Sequence, residues 1–366
     1  MDFQLQVSGA VSEVIPLAFP KGKERFCELC EREAHLQCTE CRVTYYCGAE
    51  HQQADWVGIH ERICQLLVPI RTPAALQQDS CMENQRKKAE LIEICSLVAQ
   101  SKLSEGKHQE TLPAAQFCLR CSIDVHGRSS VQLVPAFLLL AEANMGLGNF
   151  TLVEELLSQA EWAVLKSPEC GHSVHHRLHR SMGRFHAATG NLETARLHFA
   201  NDIYFASEEY GLDSTVTCRG YFLLAGVFVK QGKRPVARSL YSEVGRTWHC
   251  HLTELFKNCM QDIRRPANLS NSFSVDRSQR AEVDEMLRAM LEFEQSDPRK
   301  DSAQIALLAH CLAMLWFLGG DSVKALGFGC TALQTSQLIP NHDLTESVRI
   351  LLQLVQPETD QQAGLD

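Results

Sequence analysis

The sequence predicts a mainly α fold, in which a small Cys- and His-rich segment near the N-terminus precedes an α-solenoid of helical hairpins. Two observations lead to this prediction. Eight Cys and His residues fall in regularly spaced pairs between residues 27 and 64, and the rest of the chain repeats glycines and small residues with a period of 42. The hydrophobic content of 45% and charged content of 22% are ordinary for a globular protein.

Composition narrows the classes of function. A net charge of -9 over 366 residues argues against a general affinity for nucleic acid, which needs clustered Lys and Arg. Residues 1–20 have an early acid and no basic leader, so we interpret them as an N-terminal leader and not as a secretory signal. The most apolar stretch begins at Ile305 and is too short for a membrane span, which predicts a buried helix. The 16 cysteines indicate a reducing compartment, so we expect a cytoplasmic protein.

The Cys- and His-rich segment contains four pairs of potential metal ligands, which are Cys27 with Cys30, Cys38 with Cys41, Cys47 with His51, and His60 with Cys64. A C-x-x-C turn brings two sulfurs to one metal, and residues four apart on a helix share a face. Eight ligands suffice for two four-coordinate zinc ions, which would supply most of the folding free energy of so short a segment. Unrelated buried cysteines or a catalytic zinc fit this pairing less well. The spacing alone leaves sequential and cross-braced arrangements open.

The pattern Cys-x2-Cys-x7-Cys-x2-Cys-x5-Cys-x3-His-x8-His-x3-Cys resembles the MYND-type zinc finger. Tyr46, Gln52 and the Asp55-Trp56 dipeptide also match the family pattern, whereas His51 stands where the family usually has Cys. The resemblance implies a finger over residues 21–66 with two cross-braced zinc ions. One zinc would be held by Cys27, Cys30, Cys47 and His51, and the other by Cys38, Cys41, His60 and Cys64.

The same resemblance implies a module that binds proteins through short proline-containing peptides and does not read DNA. The charges agree, because the stretch from Glu24 to Cys64 has four Arg, no Lys and eight acidic residues. Aromatic grooves suit extended proline-rich ligands, so we expect peptide contacts from Val43, Tyr45, Gln52 and Trp56. The alternative is that Trp56 and Tyr46 form the core of the finger.

The 42-residue period predicts helical hairpins. Gly106, Gly148, Gly190 and Gly232 follow one another at this interval, a small residue lies seven positions before each, and the pattern recurs around Gly320. A glycine ends the first helix of each pair, and the small residue lets the second helix approach. The pattern resembles the tetratricopeptide repeat (TPR), with longer helices than its usual length of about 34 residues gives. We expect repeats over 82–260, a loop over 261–276, further helices with a capping helix over 277–356, and a disordered tail over 357–366.

Two other motifs favour structural roles. His172, His175, His176 and His179 recur at helical spacing, and we interpret them as a solvated or groove-lining face more readily than as a metal site. The Cys118-x-x-Cys121 pair lacks the strand context of a redox motif and predicts buried helical cysteines.

Together these features predict a non-catalytic scaffold that binds proteins or peptides and takes no nucleic acid, membrane or small-molecule substrate. The alternative is a relative of the SET-type lysine methyltransferases, because one MYND-containing family pairs the finger with a SET domain and a TPR-like tail. That family needs catalytic sequence before the finger, and only 26 residues precede Cys27 here. Its methyl-donor motif is matched only by Asn341-His342. By analogy with non-enzymatic MYND proteins, we expect a partner in the cilium or flagellum axoneme.

Overall fold

The computed structural model describes residues 11–13, 25–72, 81–263 and 277–362. These residues belong to two compact units, Met1–Val174 and His175–Asp366, and each unit is described by itself. The division falls within one helix, α7, which spans His172–Ala188.

The first unit begins with a small antiparallel sheet and a bent helical segment. Strands β1 (Val11–Glu13), β2 (Leu36–Cys38) and β3 (Tyr45–Tyr46) lie in that order across the sheet. Helix α1 (Ala49–Asp55) continues through a π-helical turn (Trp56–His60) into α2 (Glu61–Arg71). Strand β1 lies within the predicted leader and pairs with β2, with Val11 opposite Cys38. Sequence reasoning missed this strand.

Helical hairpins complete the first unit. The helices are α3 (Cys81–Ser104), α4 (His108–His126), α5 (Val134–Gly146) and α6 (Phe150–Leu165). Each packs on the next along the chain. The small residues Ala99 and Ala141, together with Thr111 and Val153 on the facing helices, are fully buried at these contacts.

The second unit contains most of α7 and seven further helices among its described residues. These are α8 (Leu192–Tyr210), α9 (Thr215–Lys230), α10 (Arg234–Ile263), α11 (Arg277–Gln295), α12 (Ser302–Leu318), α13 (Ser322–Gln337) and α14 (Leu344–Gln362). Trp248, Leu252, Met290 and Leu312 are central to its core. Helix α12 contains the apolar stretch from Ile305 and is buried along most of its length, as the sequence predicts. Among the described residues, no helix is long and apolar enough to cross a membrane.

The glycines of the 42-residue pattern do end the first helix of each pair. Gly106, Gly148, Gly190, Gly232 and Gly320 have φ angles between +72° and +87°, the left-handed region that side chains disfavour. After Gly190, for example, the backbone N–H of Asn191 donates to the carbonyl of His186, which closes the end of α7. The predicted fold class, a small finger followed by consecutive helix pairs, is confirmed.

Two boundaries differ from the sequence prediction. Residues 261–263, predicted to begin a loop, complete α10, and the rest of that loop lies outside the described residues. Helix α14 continues to Gln362, so the first six residues of the predicted disordered tail are helical, and residues 363–366 lie outside the description.

Candidate metal centre

The first ligand cluster joins residues from both ends of the finger. The ligand atoms of Cys27, Cys30, Cys47 and His51 all lie within 4.8 Å of one another. The Nδ1 atom of His51 is 3.4 Å from the Sγ of Cys27 and 3.2 Å from the Sγ of Cys47, and the sulfurs of Cys30 and Cys47 are 3.6 Å apart. A tetrahedral zinc ion spaces such ligand atoms about 3.5–3.8 Å apart. The cluster therefore fits one zinc ion bound through three sulfurs and the Nδ1 of His51.

The second cluster consists of Cys38, Cys41, His60 and Cys64, all of which are buried. The Sγ of Cys41 lies 3.6 Å from the Nε2 of His60, and the sulfurs of Cys38 and Cys64 are 4.0 Å apart. This donor set also matches four-coordinate zinc, but its histidine faces the cluster with Nε2 instead of Nδ1.

The two clusters interleave along the chain, which agrees with the cross-braced arrangement that the resemblance implies. The pKa values of the ligand cysteines shift in different directions: the side-chain hydrogen bond with Cys41 raises that of Cys38, burial raises those of Cys47 and Cys64 to about 11, and two others are lowered. A hydrogen bond from the backbone N–H of Arg32 lowers the pKa of Cys30. Hydrogen bonds from Cys38, which has the larger effect, and from His60 lower the pKa of Cys41. Three thiolates and an imidazole leave no open position on a tetrahedral zinc ion, which is the composition of a structural site.

The helical reasoning was correct for one His/Cys pair and wrong for the other. His60 ends the π-helical turn and Cys64 lies in α2, so this pair shares a helical face. Cys47 instead precedes α1, because Gly48 has an extended backbone with φ -169° and ψ 170° before the helix begins. The loop after β3, and not a helix, brings the Sγ of Cys47 to His51.

A buried carboxylate that sequence reasoning did not assign, Asp55, lies beside His60, the histidine of the second cluster. The hydroxyl of Tyr46 donates to Asp55 Oδ2 at 2.8 Å, and this oxygen lies 3.6 Å from the Nδ1 of His60. Metal-bound histidines commonly have a carboxylate on their second nitrogen, which fixes the ring and its tautomer. Burial raises the pKa of Asp55 to about 6. The Asp-Trp dipeptide of the motif was the sequence signal that could have identified Asp55.

The four predicted peptide-contact residues differ in exposure. Gln52 is 7% exposed, whereas Val43, Tyr45 and Trp56 are half-buried. Val43 and Trp56 pack on the core of the finger, and the Trp56 ring centroid lies 5.8 Å from that of His60. Trp56 also borders a groove of about 350 Å³ that Val57 and Leu97 line from the finger and α3. The peptide contacts stay a prediction.

Glu28 connects the finger to the hairpins within the first unit. Its carboxylate accepts hydrogen bonds from Arg71 of α2, at 2.8 and 3.0 Å, and from Arg120 of α4, at 2.6 Å. Burial by itself would raise the pKa of Glu28. The guanidinium groups of Arg71 and Arg120 have the larger combined effect, so the pKa of Glu28 is lower than that of an ordinary glutamate. Nearby, Gly58 lies so close to Pro113 that a Cβ on the glycine would come within 2.6 Å of the proline ring. Sequence reasoning missed this connection.

The Cys118 and Cys121 thiols are buried on α4, in agreement with the structural interpretation of this pair. Burial raises their pKa values to about 11 and about 12. Both side chains are therefore neutral and unreactive near pH 7.

Comparison with known proteins agrees with this geometry. The family model described as "MYND finger" matches residues 27–64. Egl nine homolog 1 of Homo sapiens is 44% identical over 48 residues, which are 13% of this chain and 11% of that protein. Rho GTPase-activating protein gacZ of Dictyostelium discoideum is 44% identical over 41 residues, 11% of this chain and 4% of that protein. The chain thus spans only a small part of the length of either relative. Residues 27–64, with two clusters that fit two zinc ions, are a MYND finger, a zinc-binding domain of the protein-interaction type.

Proposed function

We propose that this protein is a non-catalytic adaptor whose MYND finger binds short proline-containing peptides and whose helical hairpins bind protein partners. One observation carries the proposal. Each Cys/His cluster supplies four protein ligands, so a bound zinc ion has no position for an activated water and serves to hold the finger folded.

The finger offers an aromatic side chain beside a groove. Trp56 is half-buried beside exposed Val57, and Leu97 of α3 is 60% exposed on the other side of the groove. Grooves with aromatic walls suit the preformed extended conformation of proline-rich peptides. We expect Trp56 to make the main contact in this groove, whereas the contacts expected from Tyr45 and Val43 would lie outside its lining. Gln52 contributes less, because little of its surface is exposed.

The helical hairpins extend the proposal to larger partners. Their glycine-ended helix pairs with small residues at the contacts support a TPR-like array, and arrays of this kind bind peptides and helices of other proteins. By analogy with the non-enzymatic MYND proteins of motile cilia, we place the adaptor in the cytoplasm, with partners in the cilium or flagellum axoneme.

The residues that resemble a methyl-donor motif have a structural explanation. Asn341 and His342 lie in the connection between α13 and α14, where Asn341 has a φ of 54°. The Nδ1 of His342 lies 2.8 Å from the Oγ of Ser336, and this contact ties the connection to the end of α13. These contacts favour a turn over a cofactor site, which supports the adaptor over the methyltransferase alternative.

Selection from a phage-displayed library of proline-containing peptides on the full-length, zinc-loaded protein tests the proposal. A selected peptide is then measured by fluorescence anisotropy. We expect Trp56→Ala to weaken binding at least tenfold with unchanged zinc content. Trp162→Ala, which removes a 60% exposed tryptophan from α6, should leave binding unchanged. Failure to enrich any peptide, or equal binding by Trp56→Ala, would contradict the peptide-binding proposal. Saturable binding of S-adenosylmethionine in calorimetry would favour the methyltransferase alternative.

A further inference from the structure

A cleft in the first unit lies where the end of α2 meets α3, α4 and α5. Its volume is about 640 Å³, within the range of about 300–1,000 Å³ that ligand sites in proteins have. Ile70 and Ile123 are half-buried and give the cleft an apolar wall that solvent reaches. The floor beneath them is also apolar, and its residues are each at most 8% exposed: Leu67, Leu91, Phe117, Cys121 and Phe137.

Four cations border the same cleft. Arg71 comes from α2, Lys88 from α3, Arg120 from α4 and Arg128 from the connection after α4. The guanidinium carbons of Arg71 and Arg120 lie 5.6 and 5.8 Å from the ring centroid of Phe117, so both arginines lie over the apolar floor. The cleft therefore presents apolar surface and positive charge to the same space.

Carboxylates balance only part of this positive charge. Glu28 is shared between the two arginines of α2 and α4, and Asp124 pairs with Lys88 at 3.0 Å. Arg128 is exposed and has no ion pair within the described part of the chain. Four cations and two carboxylates leave a local net charge of +2, in a chain whose net charge is -9. The exposed pair of Lys88 and Asp124 contributes little stability, so Lys88 is able to turn to another carboxylate.

We propose that this cleft binds a segment of a partner protein in which a large apolar side chain is flanked by acidic residues. The apolar side chain packs on the floor of the cleft and leaves water, while the flanking carboxylates pair with Arg128, Lys88 and Arg120. Cations from four positions around one apolar floor match several carboxylates along a chain better than the single carboxylate of a small organic acid. The inference rests on the adaptor function proposed for the helical hairpins, and it does not depend on the groove beside Trp56.

Selection from two phage-displayed libraries on the full-length, zinc-loaded protein tests the proposal. Both libraries fix a central Leu or Phe. The flanking positions are limited to Asp, Glu, Gly and Ser in one library and to Lys, Arg, Gly and Ser in the other. We expect only the acidic library to enrich, because the cleft carries excess positive charge. Enrichment of neither library, or of the basic library alone, would overturn the proposal.

Fluorescence anisotropy of a selected acidic peptide then locates the charges that bind it. Arg128→Glu should weaken binding by about tenfold or more, because it places a like charge beside the acidic peptide. Arg86→Glu is the matched control, since it changes the net charge equally at an exposed position of α3 outside the lining of the cleft. It should leave the affinity nearly unchanged. Equal losses in the two variants would show a general attraction between opposite charges and would contradict the proposed site.

A second measurement leaves the protein unsubstituted. An acidic peptide with photoreactive benzoylphenylalanine at its central position should cross-link to α4 or α5 near Phe117 and Phe137, as located by mass spectrometry. Cross-links confined to the second unit, or to the groove beside Trp56, would overturn the proposal. Light scattering reports the oligomeric state of the same samples. A wild-type dimer that Arg128→Glu dissociates would place a second copy of this chain in the cleft and would also overturn it.

The two peptide sites fail independently. A proline-containing peptide should bind Arg128→Glu as well as it binds the wild type, and it should not compete with the acidic peptide. Binding of the acidic peptide without binding of proline-containing peptides would contradict the proposal for the finger alone. The reverse result would contradict the proposal for the cleft alone.

Discussion

Glu28 and Arg120 join the finger to the helical hairpins, because the Oε1 of Glu28 accepts a hydrogen bond of 2.6 Å from the Nη2 of Arg120 on α4. Glu28 lies between Cys27 and Cys30, the first two ligands of one cluster. A zinc ion that fixes these cysteines therefore also fixes the carboxylate that α4 binds. The finger and the first hairpin are physically coupled, although each was expected from the sequence to stand alone.

Arg120→Ala should lower the free energy of unfolding by about 1–2 kcal/mol, because the buried Glu28 carboxylate loses one of its two charged partners. Urea denaturation of the zinc-loaded protein measures this loss. Arg128→Ala is the control, since Arg128 is exposed just beyond the end of α4. If the two variants are equally stable, Glu28 does not couple the finger to α4.

Asp55→Asn should speed the loss of one zinc ion to a competing chelator, because the neutral amide holds His60 less firmly than the carboxylate does. Substitutions of such carboxylates typically cost 10- to 100-fold in metal affinity. The release of the other zinc ion should keep its wild-type rate. Tyr46→Phe, which removes only the hydroxyl bound to Asp55, should have a smaller effect. If both zinc ions are released faster by the same factor, the substitution has unfolded the finger as a whole.

Gly183→Ala should destabilise the protein by about 1–3 kcal/mol, because the added Cβ would lie 2.6 Å from the Phe199 ring. The matched control is Gly226→Ala in α9, where nothing lies within 4 Å of the new Cβ. That variant should be stabilised by about 0.5–1 kcal/mol, since alanine favours helix. Thermal denaturation compares the two. A neutral Gly183→Ala would show that close helix approach does not require the small residue.

Acidification should destabilise the second unit through His310. Burial lowers the pKa of His310 to about 3, and His249, whose Nε2 lies 3.1 Å from the Nδ1 of His310, also has a lowered pKa. The unfolded chain takes up protons near pH 6.5, so the stability that neutral His310 contributes is complete above that pH and falls as the pH decreases towards 3. Between pH 7 and pH 5.5 the expected loss is about 1 kcal/mol.

His310→Gln should reduce this pH dependence, as measured by the difference between the melting temperatures at pH 7 and pH 5.5. Zinc content is determined at both pH values, because protonation of the finger ligands releases zinc. The same pH difference in the variant and the wild type would exclude His310 as the source.

The sequence predicted features that depend on local spacing. The ligand pairs and the 42-residue glycine period could be predicted because each is a regular spacing along the sequence itself. Contacts between residues far apart in the chain could not be predicted from the sequence. Strand β1 pairs with residues about 25 positions away, and Glu28 meets Arg120 across 92 positions. The spacing of His175 and His179 on α7 was noted, but their contacts with α8 depend on how the two helices pack.

The cross-braced pairing came from the resemblance and not from spacing, so it is the part of the zinc site that most needs direct measurement. Native mass spectrometry of the full-length protein should show two zinc ions per chain. Cys27→Ser/Cys47→Ser, which damages one cluster, should retain one zinc, and Cys27→Ser/Cys38→Ser, which damages both, should retain none. The reverse result would show a sequential arrangement. A wild-type protein without zinc under metal-replete, reducing conditions would contradict the finger itself.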